Sequence, residues 1–265
     1  NLHSLTMSLI TSRQNPLIKH VAKLLESPRE RRKHQQFVVE GIHLAQLAME
    51  SGWPVTQLIL AESVPRHPEV AAMLAVYGAV QPILLSDGLF QQLFEIQPNV
   101  GIVVLMSQPL QSAMTRGGDF SVLLDDIQDP GNLGTIMRTA VAAGVSNIYL
   151  SQGCADVWSP KVLRAAMGAH FQVQLSCDVD LLSVLEALNG KMLVTDLAAK
   201  QSLYDVDLRG PVGMIFGNEG AGVSERLKAV AGDKVLIPMP GKVESLNVAA
   251  AAAICLFECV RQRCL

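Results

Sequence analysis

Residues 212–222 read Val-Gly-Met-Ile-Phe-Gly-Asn-Glu-Gly-Ala-Gly, a short apolar run that ends in three closely spaced glycines. An apolar run of this length followed by glycines is expected to form a buried strand leading into a loop, where backbone can approach a ligand without Cβ obstruction. The loop spacing is G-x-x-G-x-G, not the G-x-G-x-x-G of dinucleotide sites, and this disfavours a nicotinamide-dependent enzyme. Glu219 stands among the glycines, where a carboxylate can face a ligand or simply complete a solvated turn. Outward from this stretch, residues 121–124, 147–150, 171–175, 192–195 and 234–237 are also apolar, and helical patterns lie between them. Continuous apolar strands alternating with helices predict an α/β fold built on a parallel sheet covered on both faces. Ligands in such sheets bind beyond the carboxyl ends of the strands.

Two more loops are placed to join that crevice. Residues 129–140 read Asp-Pro-Gly-Asn-Leu-Gly-Thr-Ile-Met-Arg-Thr-Ala. Asn132 lies near a helix start, where it can cap free amides, and Arg138 lies six residues on, polar among apolar neighbours. Taken singly, Arg138 reads better as a surface arginine. Residues 237–248 read Ile-Pro-Met-Pro-Gly-Lys-Val-Glu-Ser-Leu-Asn-Val, an extended proline loop in which Ser245 or Asn247 can cap an alanine-rich helix.

The first half alternates shorter strands and helices: helices over 17–25, 42–51, 68–77 and 87–95, and strands over 37–41, 55–60, 80–85 and 101–106. This predicts a compact α/β domain over 1–106, a linker over 107–118 rich in polar residues and glycine, and a second domain over 119–265. With 49% hydrophobic and 17% charged residues, the chain is globular and not disordered. No apolar run reaches the roughly 18–20 residues of a spanning helix, and the first residues lack a signal-peptide layout. Residues 1–6 read as an extension, with Met7 the natural start.

The net charge of −3 hides an asymmetry, because residues 1–45 carry +4 and the remainder −7. The basic excess gathers at Arg29, Arg31, Arg32 and Lys33, which suits local contact with a polyanion and equally a solvated helix end. Five cysteines are scattered. Cys255 and Cys259 are one helical turn apart without a second Cys/His pair, so neither a zinc site nor a disulfide framework is expected.

Taken together and in order, three segments resemble the motifs of the SpoU (TrmH) family of SPOUT methyltransferases. They are N-L-G-x-x-x-R-T-A from Asn132, F-G-N-E-G-x-G from Phe216 and I-P-M-x-G-x-x-x-S-L-N-V from Ile237. A fourth segment over 159–169, Ser-Pro-Lys-Val-Leu-Arg-Ala-Ala-Met-Gly-Ala, is similar to another family stretch. More loosely, Phe37-Val-Val-Glu-Gly and the basic residues before it are similar to the family's L30e-like substrate-binding domain. The resemblance implies a C-terminal SPOUT domain with a deep trefoil knot, and S-adenosylmethionine as methyl donor. It places Gly217, Ile237 and Leu246 against the donor, with Thr195, Leu197 and Asn218 adjacent. It also implies a cytoplasmic homodimer that methylates a ribose 2′-hydroxyl of RNA, without metal or membrane.

Large ribosomal RNA is the expected substrate, because an added recognition domain suits site selection on a long RNA. A tRNA enzyme and a non-catalytic assembly protein of the same fold are the alternatives. Arg138 is the expected activating group, with Asn132, Glu219, Ser245 and Asn247 positioning it and the ribose. A guanidinium pKa above about 12 favours charge stabilisation over proton abstraction. Arg29, Arg31, Arg32, Lys33, Lys161 and Arg164 are the expected RNA contacts. One departure is Ala249, where the family often has serine; helix support is the role expected of that hydroxyl.

Overall fold

The computed structural model describes residues 8–64, 67–77, 80–109 and 118–264, so Asn1–Thr6 and most of the expected linker lie outside the described residues. The chain divides into two compact units. One takes residues 1–110 together with Trp158–Arg164, and the other takes residues 111–157 and 165–265.

The first unit holds a mixed five-stranded sheet. In chain order its elements are β1 (Leu9–Ile10), α1 (Pro16–Glu26), α2 (Pro28–His34), β2 (Gln36–Glu40), α3 (Ile42–Glu50), β3 (Val55–Ala61), α4 (Pro68–Tyr77), β4 (Ile83–Leu85), α5 (Asp87–Leu93) and β5 (Ile102–Ser107). The strand order is β1-β4-β3-β5-β2, with β5 antiparallel to both neighbours and the other pairs parallel. β5 is an interior strand, buried throughout Ile102–Met106, which accounts for its unbroken run of apolar residues.

The charged stretch after α1 is itself helical, which the lack of apolar periodicity hid. Ser27 Oγ accepts from the Glu30 amide at 3.3 Å and Pro28 opens α2, the standard chemistry of a helix start. Arg31 turns inward from α2 and is only 2% exposed, its guanidinium donating to the Leu24 and Leu25 carbonyls that α1 leaves open. It therefore serves as a helix-end clamp. Arg29, Arg32 and Lys33 remain exposed.

The second unit holds a parallel seven-stranded sheet. The elements from residue 120 onward are β6 (Phe120–Asp125), α6 (Pro130–Ala142), β7 (Asn147–Leu150), α7 (Pro160–Ala166, of which residues 160–164 belong to the first unit), β8 (Gln174–Ser176), α8 (Leu181–Ala187), β9 (Lys191–Thr195), β10 (Gln201–Ser202), β11 (Val212–Gly217), α9 (Glu225–Val230), β12 (Asp233–Leu236) and α10 (Val248–Arg263). The order is β10-β12-β9-β11-β6-β7-β8. β11 is central, paired with β6 from Val212↔Phe120 to Gly217↔Asp125, and it is buried along its whole length. The strand expected over 171–175 is displaced. Ala169–Phe171 forms a 3-10 turn and pairing with β7 begins only at Gln174. Val223 and Leu227, from the loop and helix after β11, join Leu123, Val184 and Ile215 in one buried cluster.

His170 is fully buried in this unit, and its Nε2 lies 2.7 Å from the Val157 carbonyl oxygen. Burial pushes the imidazole down to about 4, against the raising effects of that hydrogen bond and of Asp156. The unfolded chain therefore binds a proton between about pH 6.5 and 4 that the folded chain refuses. Stability is full above that window and falls as pH drops through it, by about 3 kcal/mol. Denaturant unfolding across pH 7.5 to 4 measures this loss, and His170→Gln should remove most of it.

Candidate active site

Four loops leave the carboxyl ends of neighbouring strands β6, β11, β9 and β12, as expected for a ligand crevice in an open parallel sheet. Those after β11, β9 and β12 line a cavity of about 350 Å³. Thr195, Leu197, Gly217, Asn218, Ile237 and Leu246 all line it, together with Glu219 and Ser245. Its other charged lining residues are Asp196, Glu244 and Lys228.

Each glycine essential to this loop has its own reason. A Cβ at Gly217 would lie 2.2 Å from the Val223 nitrogen and 2.5 Å from the Gly222 carbonyl oxygen, so backbone occupies the space a side chain needs. Gly222 has φ +72°, a left-handed conformation that costs other residues energy. Between them, Asn218 Oδ1 accepts from the Gly220 and Ala221 amides at 2.9 Å each, while its Nδ2 donates to the Asp126 carbonyl at 3.0 Å. The loop after β11 is thereby tied to the loop after β6.

A second tie runs through three of the expected catalytic residues. Asn247 Nδ2 donates to Asn132 Oδ1 at 2.9 Å, and Asn132 Nδ2 donates to Glu219 Oε1 at 3.1 Å. Glu219 also accepts from the Asp129 and Gln128 amides at 3.1 and 3.3 Å. Burial alone would raise the Glu219 pKa, but the hydrogen bonds from Asn132 and the backbone outweigh it and hold the carboxyl below its usual range. Glu219 is thus an ionised acceptor fixed at the cavity edge. Asn247 caps α10, its Oδ1 accepting from the Ala249 and Ala250 amides at 2.9 and 3.3 Å. Ser245 lies before the cap and does not form it.

Asn132 does not cap α6 as expected. Asp129 does, accepting from the Asn132 amide at 2.7 Å, with Pro130 as the first helical residue. The cue was present in Asp-Pro, a cap residue before proline. That substitution releases the Asn132 side chain to link Asn247 and Glu219. Lys228 escaped the sequence reading, and Asp196 entered it only as the middle of the loop from Thr195 to Leu197. Their side chains lie 3.6 Å apart at the cavity wall, and Lys228 is 3.0 Å from Glu225. Neither residue belongs to a motif, so only the fold brings them here.

Arg138 stands apart from this group. It is exposed on α6, does not line the cavity, and has no hydrogen bond or ion pair among the described residues. Lys161 is exposed, and Arg164 is paired with Glu95 at 2.7 Å and Glu40 at 3.5 Å in the first unit. Among the described residues no group of three or more His, Cys, Asp or Glu side chains is placed to hold a metal ion. Cys255 is buried in α10, and burial pushes its thiol up to about 12.

Residues 119–257 match the model of the SpoU rRNA Methylase family. The chain belongs to the SpoU rRNA methylase family. Residues 15–98 of this SpoU methylase also match the MRM3-like substrate binding domain. It is 33% identical over 258 residues to the 23S rRNA (guanosine(2553)-2′-O)-methyltransferase RlmP of Bacillus subtilis, covering 95% of this chain and 98% of that one. It is also similar to the crystal structure of the SpoU methyltransferase AviRb from Streptomyces viridochromogenes in complex with the cofactor AdoMet. The TM-score is 0.86 at 29% identity, over 95% of this chain and 99% of that chain. An AdoMet-bound rRNA methyltransferase from Sinorhizobium meliloti matches with a TM-score of 0.81 at 31% identity, covering 96% and 98% of the two chains.

Proposed function

We propose that this SpoU methylase transfers a methyl group from S-adenosylmethionine to a ribose 2′-hydroxyl of large-subunit ribosomal RNA. The observation that carries the reading is the bonded line Asn247–Asn132–Glu219, which joins three separate segments beside one cavity. Relatives matched over nearly their whole length act on 23S rRNA by name, and this supports the ribosomal substrate. The cavity suits the donor chemically. Asp196 and Glu244 favour a cationic ligand, Leu197, Ile237 and Leu246 supply apolar walls, and Gly217 leaves backbone accessible.

S-adenosylmethionine supplies an electrophilic methyl group when bound. The chain's task is to hold the ribose oxygen in line with it and to stabilise charge on that oxygen as its proton leaves. Asn132, Ser245 and Asn247 orient the ribose by hydrogen bonds, and Glu219 fixes Asn132. Arg138 clamps the ribose or its phosphate and stabilises the developing charge, a role suited to a guanidinium that stays protonated. A homodimer belongs to the same reading, because Arg138 has no hydrogen bond or ion pair among the described residues and Phe257 on α10 is 48% exposed. So does the trefoil knot, supported by the placement of β11 between β9 and β6 and of β12 between β9 and β10. Among the described residues no helix is long and apolar enough to cross a membrane, and a cytoplasmic enzyme belongs to the same reading.

Incubation with tritiated S-adenosylmethionine and unmodified 23S rRNA tests the reading, and the label should appear at one ribose 2′-oxygen. Cofactor binding with no transfer to rRNA, or transfer to tRNA alone, overturns it. Neutralising Arg29, Arg32 and Lys33 together should lower RNA affinity and reduce its salt slope by about 2–3, at roughly 0.7–0.9 per phosphate contact. Cofactor affinity should be unchanged, as calorimetry would show.

A further inference from the structure

The first unit contains a second cavity, of about 330 Å³, bordered by residues from α1, α2, β2, α5 and the segment Trp158–Arg164. Its wall holds a buried carboxylate. Glu40 is 7% exposed, yet its two oxygens have only long contacts: Oε1 to Arg164 Nη1 at 3.5 Å and Oε2 to the Glu95 amide at 3.4 Å. A carboxylate offers about four acceptor positions and normally meets donors nearer 2.9 Å. This one is largely removed from water and lacks close donors in compensation. Burial raises its pKa, while Arg164 and the Glu95 amide act in the opposite direction.

The geometry points to an occupant. Glu95 holds Arg164 Nη2 at 2.7 Å, so the donor left beside Glu40 is Nη1, and two carboxylate acceptors next to it present the sequence acceptor, acceptor, donor. Guanine's Watson–Crick edge presents the complement: the N2 amino group, N1–H and the O6 acceptor. Adenine and the pyrimidines lack two adjacent donors next to an acceptor. Leu25, Leu93 and Pro160 line the same cavity and offer apolar surface to the faces of a base, and Arg13 and Lys161 line it beside Glu26 and Glu95. Unstacked bases in single-stranded RNA are read in this way, by their edges and by packing against their faces.

We propose that the Glu40–Arg164 cavity binds an unpaired guanine of the substrate RNA, as a recognition site in the first unit separate from the methyl-transfer cavity of the second. The proposal rests on the RNA methyltransferase reading, and it supplies sequence selection that the catalytic motifs do not contain.

The test uses the full chain and three mononucleotides, GMP, IMP and AMP, followed by NMR titration. GMP should bind at millimolar concentration and shift resonances of Glu40 and Arg164. IMP lacks the 2-amino donor and should bind about tenfold more weakly or worse, because one hydrogen bond to a charged acceptor is lost. AMP should leave these resonances unmoved. Glu40→Gln, which places an amide donor against a base donor, should abolish the preference while S-adenosylmethionine affinity holds.

Equal binding of the three nucleotides, or no binding of GMP at millimolar concentration, overturns the proposal without any variant. A Glu40→Gln protein that still discriminates GMP from IMP overturns it as well. The two readings fail separately. rRNA methylation without guanine preference removes this site alone, whereas guanine binding without methylation removes the proposed activity.

Discussion

Arg138→Ala should reduce methyl transfer about a thousandfold while leaving S-adenosylmethionine affinity nearly unchanged. Arg138 is exposed, has no hydrogen bond or ion pair among the described residues, and lies outside the cavity lining. Removing it breaks no hydrogen bond or ion pair among the described residues, and alanine is a better helix former, so stability should hold or rise slightly. A loss of activity would then report chemistry and not folding. The size follows from removing one preorganised group that stabilises developing charge, typically worth about 10²–10³ in rate. Single-turnover transfer to rRNA and calorimetry with the donor provide the two readouts. Arg138→Lys separates the contributions, since lysine keeps the charge but loses the planar fork. Full activity in the alanine variant would eliminate the clamp role.

Gly217→Ala should weaken donor binding about a hundredfold, the order expected from displacing a site by about 1 Å. The added Cβ would meet the Val223 nitrogen at 2.2 Å and the Gly222 backbone at 2.3–2.5 Å. Backbone cannot swing aside as a side chain tip can, so the loop after β11 must move and take Asn218 and Glu219 with it. Gly220→Ala is the control. Its Cβ would have as nearest neighbour only Asn218 Oδ1, at an ordinary 3.6 Å, so near-normal binding is expected. Calorimetry on the two variants decides the matter, and equal affinities would refute the steric account.

The central strands of the second unit could be read from composition, because strands buried on both faces have to be apolar throughout. β11 illustrates this, with all six residues buried. Elements whose reasons lie elsewhere in the chain could not. β1 and β10 are two residues each and exist through pairing with β4 and β12. α2 is charged throughout and depends on Ser27 and Pro28 instead of an apolar stripe.

The candidate site divides in the same way. The six residues expected at the donor line one cavity, and the three glycines already marked the loop. The bonding between motifs could not be foreseen. Assigning the cap to Asn132 missed that Asp129 takes that task and frees Asn132 for Asn247 and Glu219. Arg31 appeared basic and therefore outward-facing, but the open carbonyls at the end of α1 provide it with a stronger claim inside.

The line Asn247–Asn132–Glu219 also bears on when the protein can begin to work. Its two side-chain bonds span 115 and 87 positions of sequence, so no early fragment of the chain can assemble it. Asn247 caps α10, so the final link waits until that helix has been made. Pairings this distant close late in folding. A half-made chain emerging from a translating ribosome therefore has RNA within reach but no assembled line with which to modify it.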